Sequence, residues 1–235
     1  MSNKFHVIDA KNREHYDLLT SMHKLRYEVF HKELKWTTGL SIVRDMEFDD
    51  YDLIETKYIV RVDEKGQVDA ACRIIPTNYP YMLKEHYPEF IETIPVPNSP
   101  EIWEISRFCA SMDARKSSHG HITGQLIAAL IEFGLSENIQ NYIALATDTV
   151  VPIIRRIAGW DPKPLGSRMK TPDDHAYSVI YTVSEEMLQK IRTKHSITAE
   201  SVFEYPFSKA FSFPCTHSQQ FVPANKNMEM MDKVA

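Results

Sequence analysis

In the run Glu101-Ile102-Trp103-Glu104-Ile105-Ser106-Arg107-Phe108, an acid, a hydroxyl and a guanidinium (Glu104, Ser106 and Arg107) interrupt what from Ile102 onward otherwise has the apolar character of a buried strand. Burying such groups is costly unless they are paired or a ligand uses them, so this run is the first place to look for chemistry. Side chains alternate across a strand. Glu104, Ser106 and Phe108 are therefore expected on one face, and Trp103, Ile105 and Arg107 on the other, unless a bulge intervenes. A glutamate beside a serine in a sheet crevice suits a general base or an amine anchor. The alternative is that Glu104 and Arg107 make buried ion pairs that order the core.

Further charged groups stand where a core would not want them. Glu47-Phe48-Asp49-Asp50-Tyr51-Asp52 holds four acids in six residues. Such a run is usually a solvated loop, and its spacing matches no calcium loop and brings in no His or Cys, so no metal site is expected. The interleaved Phe48 and Tyr51 suggest an anchored loop with some carboxylates turned inward. Arg73 lies within Ala70-Ala71-Cys72-Arg73-Ile74-Ile75, where a guanidinium requires a carboxylate or an anionic ligand. Arg26 precedes Phe30 by four residues, so both present on one helical face, and Trp36 follows. Together they can form a wall that stacks on a cationic or aromatic ligand; ordinary core is the other reading of Phe30 and Trp36. His119 and His121 lack metal-ligand spacing. The segment Arg115-Lys116-Ser117-Ser118-His119-Gly120-His121 precedes a helix and has one glycine with which to cradle a phosphate. Nucleophile-elbow, Walker and dinucleotide loops are absent.

The elements that must position these groups follow from periodicity. Leu18, Met22, Leu25 and Val29 predict a helix over 12–34. Residues 37–55 are polar without a clear period. Segments 57–62 and 67–75 read as a hairpin closed at Asp63-Glu64-Lys65-Gly66. Prolines punctuate 76–100, with a short helix near Met82, before the strand 102–110. Helices are predicted over 121–138 and 150–158, the latter with Pro152 in its first turn and Gly159 as its stop. Strands are predicted over 142–147 and 177–183, and Ser184 is placed to cap a helix running toward His195. This order predicts an α/β fold with one central sheet.

Composition narrows the class. The 235 residues, 43% hydrophobic and 25% charged, suit one globular domain. We expect that domain over 1–195, with 196–235 as an extension whose end is loose. A net charge of 27 − 32 = −5 argues against nucleic acid as a partner. Cys72, Cys109 and Cys215 are scattered and expected to remain thiols. No apolar run approaches the roughly 20 residues that span a bilayer, and no signal-peptide pattern opens the chain. An integral membrane segment is therefore not expected, and the location is expected to be cytoplasmic.

Taken together, four ordered blocks resemble the acyl-homoserine-lactone synthases, which make autoinducers for bacterial quorum sensing. They are Leu25-Arg26-Tyr27-Glu28-Val29-Phe30 with Trp36; Met46-Glu47-x-Asp49-x-Tyr51-Asp52; Ala71-Cys72-Arg73-Ile74-Ile75-Pro76-Thr77 with Tyr79-Pro80-Tyr81-Met82-Leu83; and Trp103-Glu104-Ile105-Ser106-Arg107-Phe108. The resemblance runs from about Leu25 to Gly159 and leaves out the last forty residues. It implies a GNAT-like αβα sandwich with one central mixed, twisted sheet. It also implies a reaction that joins S-adenosyl-L-methionine, a substrate rather than a cofactor, to an acyl thioester. Carried over by position, Glu104 would deprotonate the amine, with Ser106 and Arg107 beside it. Arg26, Phe30, Trp36, Asp49, Asp52 and Arg73 would shape the adenosylmethionine pocket. Thr147 matches a position that meets a 3-oxo acyl chain. Arg155, Arg156, Arg168 and Lys170 are candidates for docking an acyl carrier protein, with coenzyme A as the other possible carrier; a solvated basic surface is the alternative for that patch. Two rivals remain at this point: a CoA-dependent N-acetyltransferase of the same fold, for which a glycine-rich pyrophosphate loop is missing, and a non-enzymatic ligand-binding module.

Overall fold

A computed structural model gives the structure of residues 5–37, 39–118, 121–172, 174–198 and the backbone of 203–204. The chain runs through β1 (Phe5–Asp9), α1 (Tyr16–Arg26), β2 (Ser41–Val43), β3 (Met46–Phe48), β4 (Lys57–Val62), β5 (Val68–Pro76), α2 (Met82–His86) and β6 (Ile102–Ala110). It continues through α3 (Met112–Ser117), α4 (His121–Ser136), β7 (Asn141–Thr147), α5 (Val150–Ala158), β8 (Lys163–Pro164), β9 (Met169–Lys170), β10 (His175–Thr182), α6 (Glu185–His195) and β11 (Phe203–Glu204).

One mixed sheet has the order β11-β1-β4-β5-β6-β7-β10-β8, with β9 also on β10. Its neighbours are antiparallel except β1–β11 and β6–β7. Alternation along β5 divides the core. Ala70, Cys72 and Ile74 face α4, α5 and α6, together with Trp103, Ile105 and Val179. Ala71 faces α1 and packs with Leu18, Met22 and Leu25, while Ile75 packs with Tyr81 and Leu83 at α2. The architecture is thus the αβα sandwich expected. β11 adds to β1, so the sheet draws two residues from beyond position 195. The proposed looseness of the chain's end lies outside the described residues.

Local chemistry explains most boundaries. Gly66, at φ +76°, closes the β4–β5 hairpin, where the Asp63 carboxylate accepts from Lys65 N and Gln67 N. Gly159 ends α5 in the left-handed conformation. Ser184 accepts from Met187 N and starts α6.

Three expectations are corrected. The helix expected over 12–34 is a short 3-10 turn at Arg13–His15, then α1, then a π-helical stretch at Tyr27–Glu33. The wider turn lets Leu34 N donate to Val29 O and Trp36 N to Phe30 O, which brings Phe30 and Trp36 into a stack. The polar stretch over 37–55 contains the β2–β3 hairpin, turned by Arg44 and Asp45, both at positive φ. Finally, β6 carries a bulge. Arg73 pairs with Ser106 and Ala71 with Cys109, so one residue of β5 opposes two of β6. Arg107, at φ +51°, is the odd residue. The bulge reverses the expected faces, sending Arg107 toward α1 and the acidic loop and Phe108 to the α4 side.

Candidate active site

Acids and guanidiniums from four segments meet on the α1 face of the sheet. Arg26 donates Nε to Glu47 and makes a bidentate pair with Asp52, at 2.6 and 3.0 Å. Arg107 donates to Glu47 Oε1 through Nε and Nη2, at 3.2 and 3.1 Å, and reaches Asp49 at 2.7 Å. Arg73 donates Nη1 to Asp49 and to Asp52, the latter at 3.2 Å, and Nε to Ser106 Oγ at 2.9 Å. Tyr58 OH completes Asp52 at 2.7 Å. Three guanidiniums thus balance three carboxylates, which is what allows Arg26, Arg73 and Glu47 to be almost wholly buried. Arg73 Nη2 has no partner among the described residues.

The acidic run winds here because its own side chains dictate it. Asp49 accepts from Tyr51 N two residues on, an Asx turn, and Asp52 reaches back to accept from Asp49 N, both at 2.9 Å. His23 fastens β3 to α1, with Nδ1 2.8 Å from Glu47 O and its ring 4.0 Å from Phe48. Burial, then Arg26, lowers the His23 pKa to about 4, so the ring is neutral and donates Nδ1–H. Burial alone would raise Asp49 and Asp52. Arg73 and Arg107 hold Asp49 below the usual range, and Arg26 and Arg73 hold Asp52 well below it.

Glu104 stands apart from these direct pairs. Its side chain is fully buried, and its two oxygens accept from Leu83 N at 2.8 Å and Met82 N at 3.2 Å, the first N–H groups of α2. Burial raises its carboxyl to about 7 against the opposing pull of the Leu83 N–H, Arg73 and the Met82 N–H. The sheet opens at this residue. Parallel pairing of β6 with β7 covers Ile102 to Glu104 and ends at Glu104 opposite Ile143, although both strands continue. A carboxyl with a pKa near neutrality therefore sits at the fork of two parting strands, beside a charge-neutral ion network.

The expected site residues fall into two groups. Arg26, Asp49, Asp52, Arg73, Ser106 and Arg107 form one bonded cluster, with Glu104 adjoining. Phe30 lies 5.4 Å from the Arg107 guanidinium and stacks on half-buried Trp36 at 5.0 Å. The others are elsewhere. Thr147 ends β7, its hydroxyl 3.0 Å from that of Thr149. Arg155 pairs with Asp161 and Arg168 with Asp148, both exposed, while Arg156 and Lys170 are exposed on α5 and β9. In the segment before α4, Arg115 pairs with Glu33, and His119 and Gly120 lie outside the described residues. Sequence reasoning missed Glu47, the carboxylate shared by Arg26 and Arg107. It stood in the acidic run and in the second of the four blocks, but nothing in its neighbours singled it out from the other acids. No cluster of metal-ligating side chains occurs among the described residues, nor any helix long and apolar enough to cross a membrane.

A mixed sheet that forks at one parallel pair, with helices on both faces, defines a GNAT-like fold. A chain from Lactobacillus plantarum shares that fold at a TM-score of 0.51 and 13% identity, over 77% of this chain and 99% of its own. The chain belongs to the autoinducer synthase family, whose model matches residues 9–191. It is 33% identical over 179 residues to the acyl-homoserine-lactone synthase of Pseudomonas aeruginosa, covering 74% of this chain and 87% of that one. It is 33% identical to the Vibrio anguillarum synthase over 58% of this chain and 71% of that one. The CoA-dependent acyl-homoserine lactone synthase BjaI, described with MTA and with SAM and isopentyl-CoA, superimposes at a TM-score of 0.77. It is 27% identical over 85% of this chain and 92% of its own. The synthase LasI superimposes at 0.70 with 29% identity, over 80% of this chain and 94% of that one. The chain is accordingly an enzyme of the acyl-homoserine-lactone synthase class, not a simple acetyltransferase or a binding module.

Proposed function

We propose that this enzyme makes an N-acyl-L-homoserine lactone from S-adenosyl-L-methionine and an acyl thioester. The observation that carries the proposal is the placement of Glu104, with a carboxyl near neutrality, where β6 and β7 part and beside the Arg73 network. The methionyl amine must lose a proton before it can attack, and Glu104 accepts it, directly or through one water. The amine nitrogen then bonds to the acyl carbonyl carbon. The C–S bond breaks, and the thiolate leaves and takes the second nitrogen proton. In the other half of the reaction the methionyl carboxylate oxygen attacks its own γ-carbon, and the C–S⁺ bond breaks with its electron pair going to sulfur. Methylthioadenosine departs neutral and the lactone closes. The balance needs nothing beyond the two substrates.

The remaining residues have roles that suit this chemistry. The unpartnered Arg73 Nη2 offers a donor to an anionic group of adenosylmethionine, and the Phe30–Trp36 stack suits its cationic sulfonium. Ser106 orients Arg73 and Arg107 holds the acidic loop. Past Glu104 the parted strands leave backbone donors and acceptors for an extended thioester arm, with Thr147 at the far end of β7. The exposed Arg155, Arg156, Arg168 and Lys170 form the face for an acidic carrier protein; coenzyme A is the other donor. Both substrates are cytoplasmic metabolites, and we place the enzyme there.

Purified enzyme is incubated with S-adenosyl-L-methionine and parallel series of acyl-CoA and acyl carrier protein thioesters, and methylthioadenosine is followed by chromatography. Release with at least one donor, abolished in Glu104→Gln, supports the proposal. No release with any donor of either series overturns it.

A further inference from the structure

We propose that Tyr51 is a positioning residue for Glu104, tying the acidic loop to α2 so that the first two N–H groups of that helix stay on the Glu104 carboxylate. This rests on the reading of Glu104 as the proton acceptor. Tyr51 is buried, yet its hydroxyl donates to Glu85 Oε2 at 3.0 Å, 34 positions away on α2. Its backbone N–H donates to Asp49 at 2.9 Å and its carbonyl accepts from Thr56 Oγ1 at 2.8 Å. Its ring lies 5.8 Å from the Arg73 guanidinium and packs with Ile75, Tyr81 and Leu83. One side chain thus touches both the guanidinium network and the helix that holds Glu104.

A five-residue helix has no stability of its own, so α2 stays in place only through what grips it. At its start Tyr81 OH donates to Pro97 O at 2.6 Å. Near its end the grip is the Tyr51–Glu85 bond and the edge of His86 against Tyr51 at 5.8 Å. The groups facing Glu104 are Arg73 from β5, Asp49 from the acidic loop, Tyr51 and Tyr81, and the two N–H groups of α2. Arg73 and the N–H groups favour the carboxylate, and Asp49 opposes it. If the outer end of α2 is released, the N–H contribution weakens and Glu104 binds its proton more tightly. The acid limb of the rate profile then moves to higher pH.

The test uses Tyr51→Phe in the full enzyme, with thiol release from the best acyl-CoA of the series above measured across pH. Amide hydrogen exchange at Met82 and Leu83 is measured in parallel, without substrate. We expect the acid limb to rise by roughly half a pH unit and exchange at both amides to quicken several-fold. Glu85→Gln keeps an acceptor for the hydroxyl and is expected to match wild type in both readouts. Wild-type exchange in Tyr51→Phe overturns the tie, and a rate loss equal at every pH reduces Tyr51 to a packing residue. If instead the acid limb survives in Glu104→Gln, the assignment of the base fails. Exchange at Met82 and Leu83 still reports separately whether Tyr51 holds α2.

Discussion

Replacing Glu47 by glutamine removes one negative charge from a buried, balanced set. The carboxylate has no solvent exposure and serves Arg26 on one oxygen and Arg107 on the other. Glutamine keeps one oxygen acceptor but leaves three guanidiniums facing two carboxylates. Breaking a buried pair by neutralising one partner costs about 3–5 kcal/mol, and the retained acceptor places this case at the lower end, about 3 kcal/mol. Domains are stable by only about 5–15 kcal/mol, and for one of this size each kcal/mol moves Tm by about 2–4 °C. We therefore expect Tm to fall by roughly 6–12 °C, with a matching drop in the urea midpoint at unchanged m-value. Glu28→Gln provides the contrast, because its partner Lys32 is on the surface and both side chains are about half exposed (55% and 50%). That variant should unfold like wild type. A loss below about 1 kcal/mol in Glu47→Gln, comparable to ordinary surface changes, would refute the argument that charge balance holds this site together.

Other consequences follow from single contacts. A Cβ at Gly124 would come within 2.5 Å of the His195 ring, itself held by Ile157 O at 2.9 Å. Gly124→Ala should therefore destabilise by about 1–3 kcal/mol in urea unfolding, and Gly124→Ala with His195→Ala should cost less than the sum of the single changes. Stability should be nearly independent of pH between about 5 and 6.5, because two linkages cancel there and those of the lowered Asp49 and Asp52 act only at lower pH. Glu104, raised to about 7, gives stability that is full at low pH and lost as pH rises through 7. His23, lowered to about 4, gives stability present above its unfolded value and lost as pH falls through 4. Each is worth on the order of 3 kcal/mol. Glu104→Gln should thus leave stability rising with pH over this range and His23→Asn should leave it falling, as read by thermal melts; equal slopes in the two variants would contradict this. Arg156→Glu with Lys170→Glu should raise KM about tenfold for an acyl carrier protein thioester while sparing an acyl-CoA. Equal effects on both donors would remove the docking role.

The fold was legible where one face had to be apolar. The Leu18-Met22-Leu25-Val29 stripe, the Gly66 hairpin and the long apolar α4 each leave a periodic or conformational signature. The small strands leave none. β2 and β3 are three residues each, and β8, β9 and β11 only two, too short for alternation to register. In the site, Arg73 and Glu104 showed themselves because a charge inside an apolar strand requires a reason. The bulge was invisible, since an arginine at positive φ carries no local signal and is held there by Glu47 and Asp49, far away in sequence. Glu47 was hidden for the converse reason. Within a run of acids, only the fold decides which one is drawn inward.

The central claim is that Glu104 and the network beside it direct an acyl group onto adenosylmethionine and close the lactone. Quantifying all products of one incubation by mass spectrometry tests it most directly. The account predicts methylthioadenosine, free thiol and acyl-homoserine lactone in equal amounts, all three lost together in Glu104→Gln. Thiol released without methylthioadenosine, or methylthioadenosine formed without an acyl donor, would contradict it.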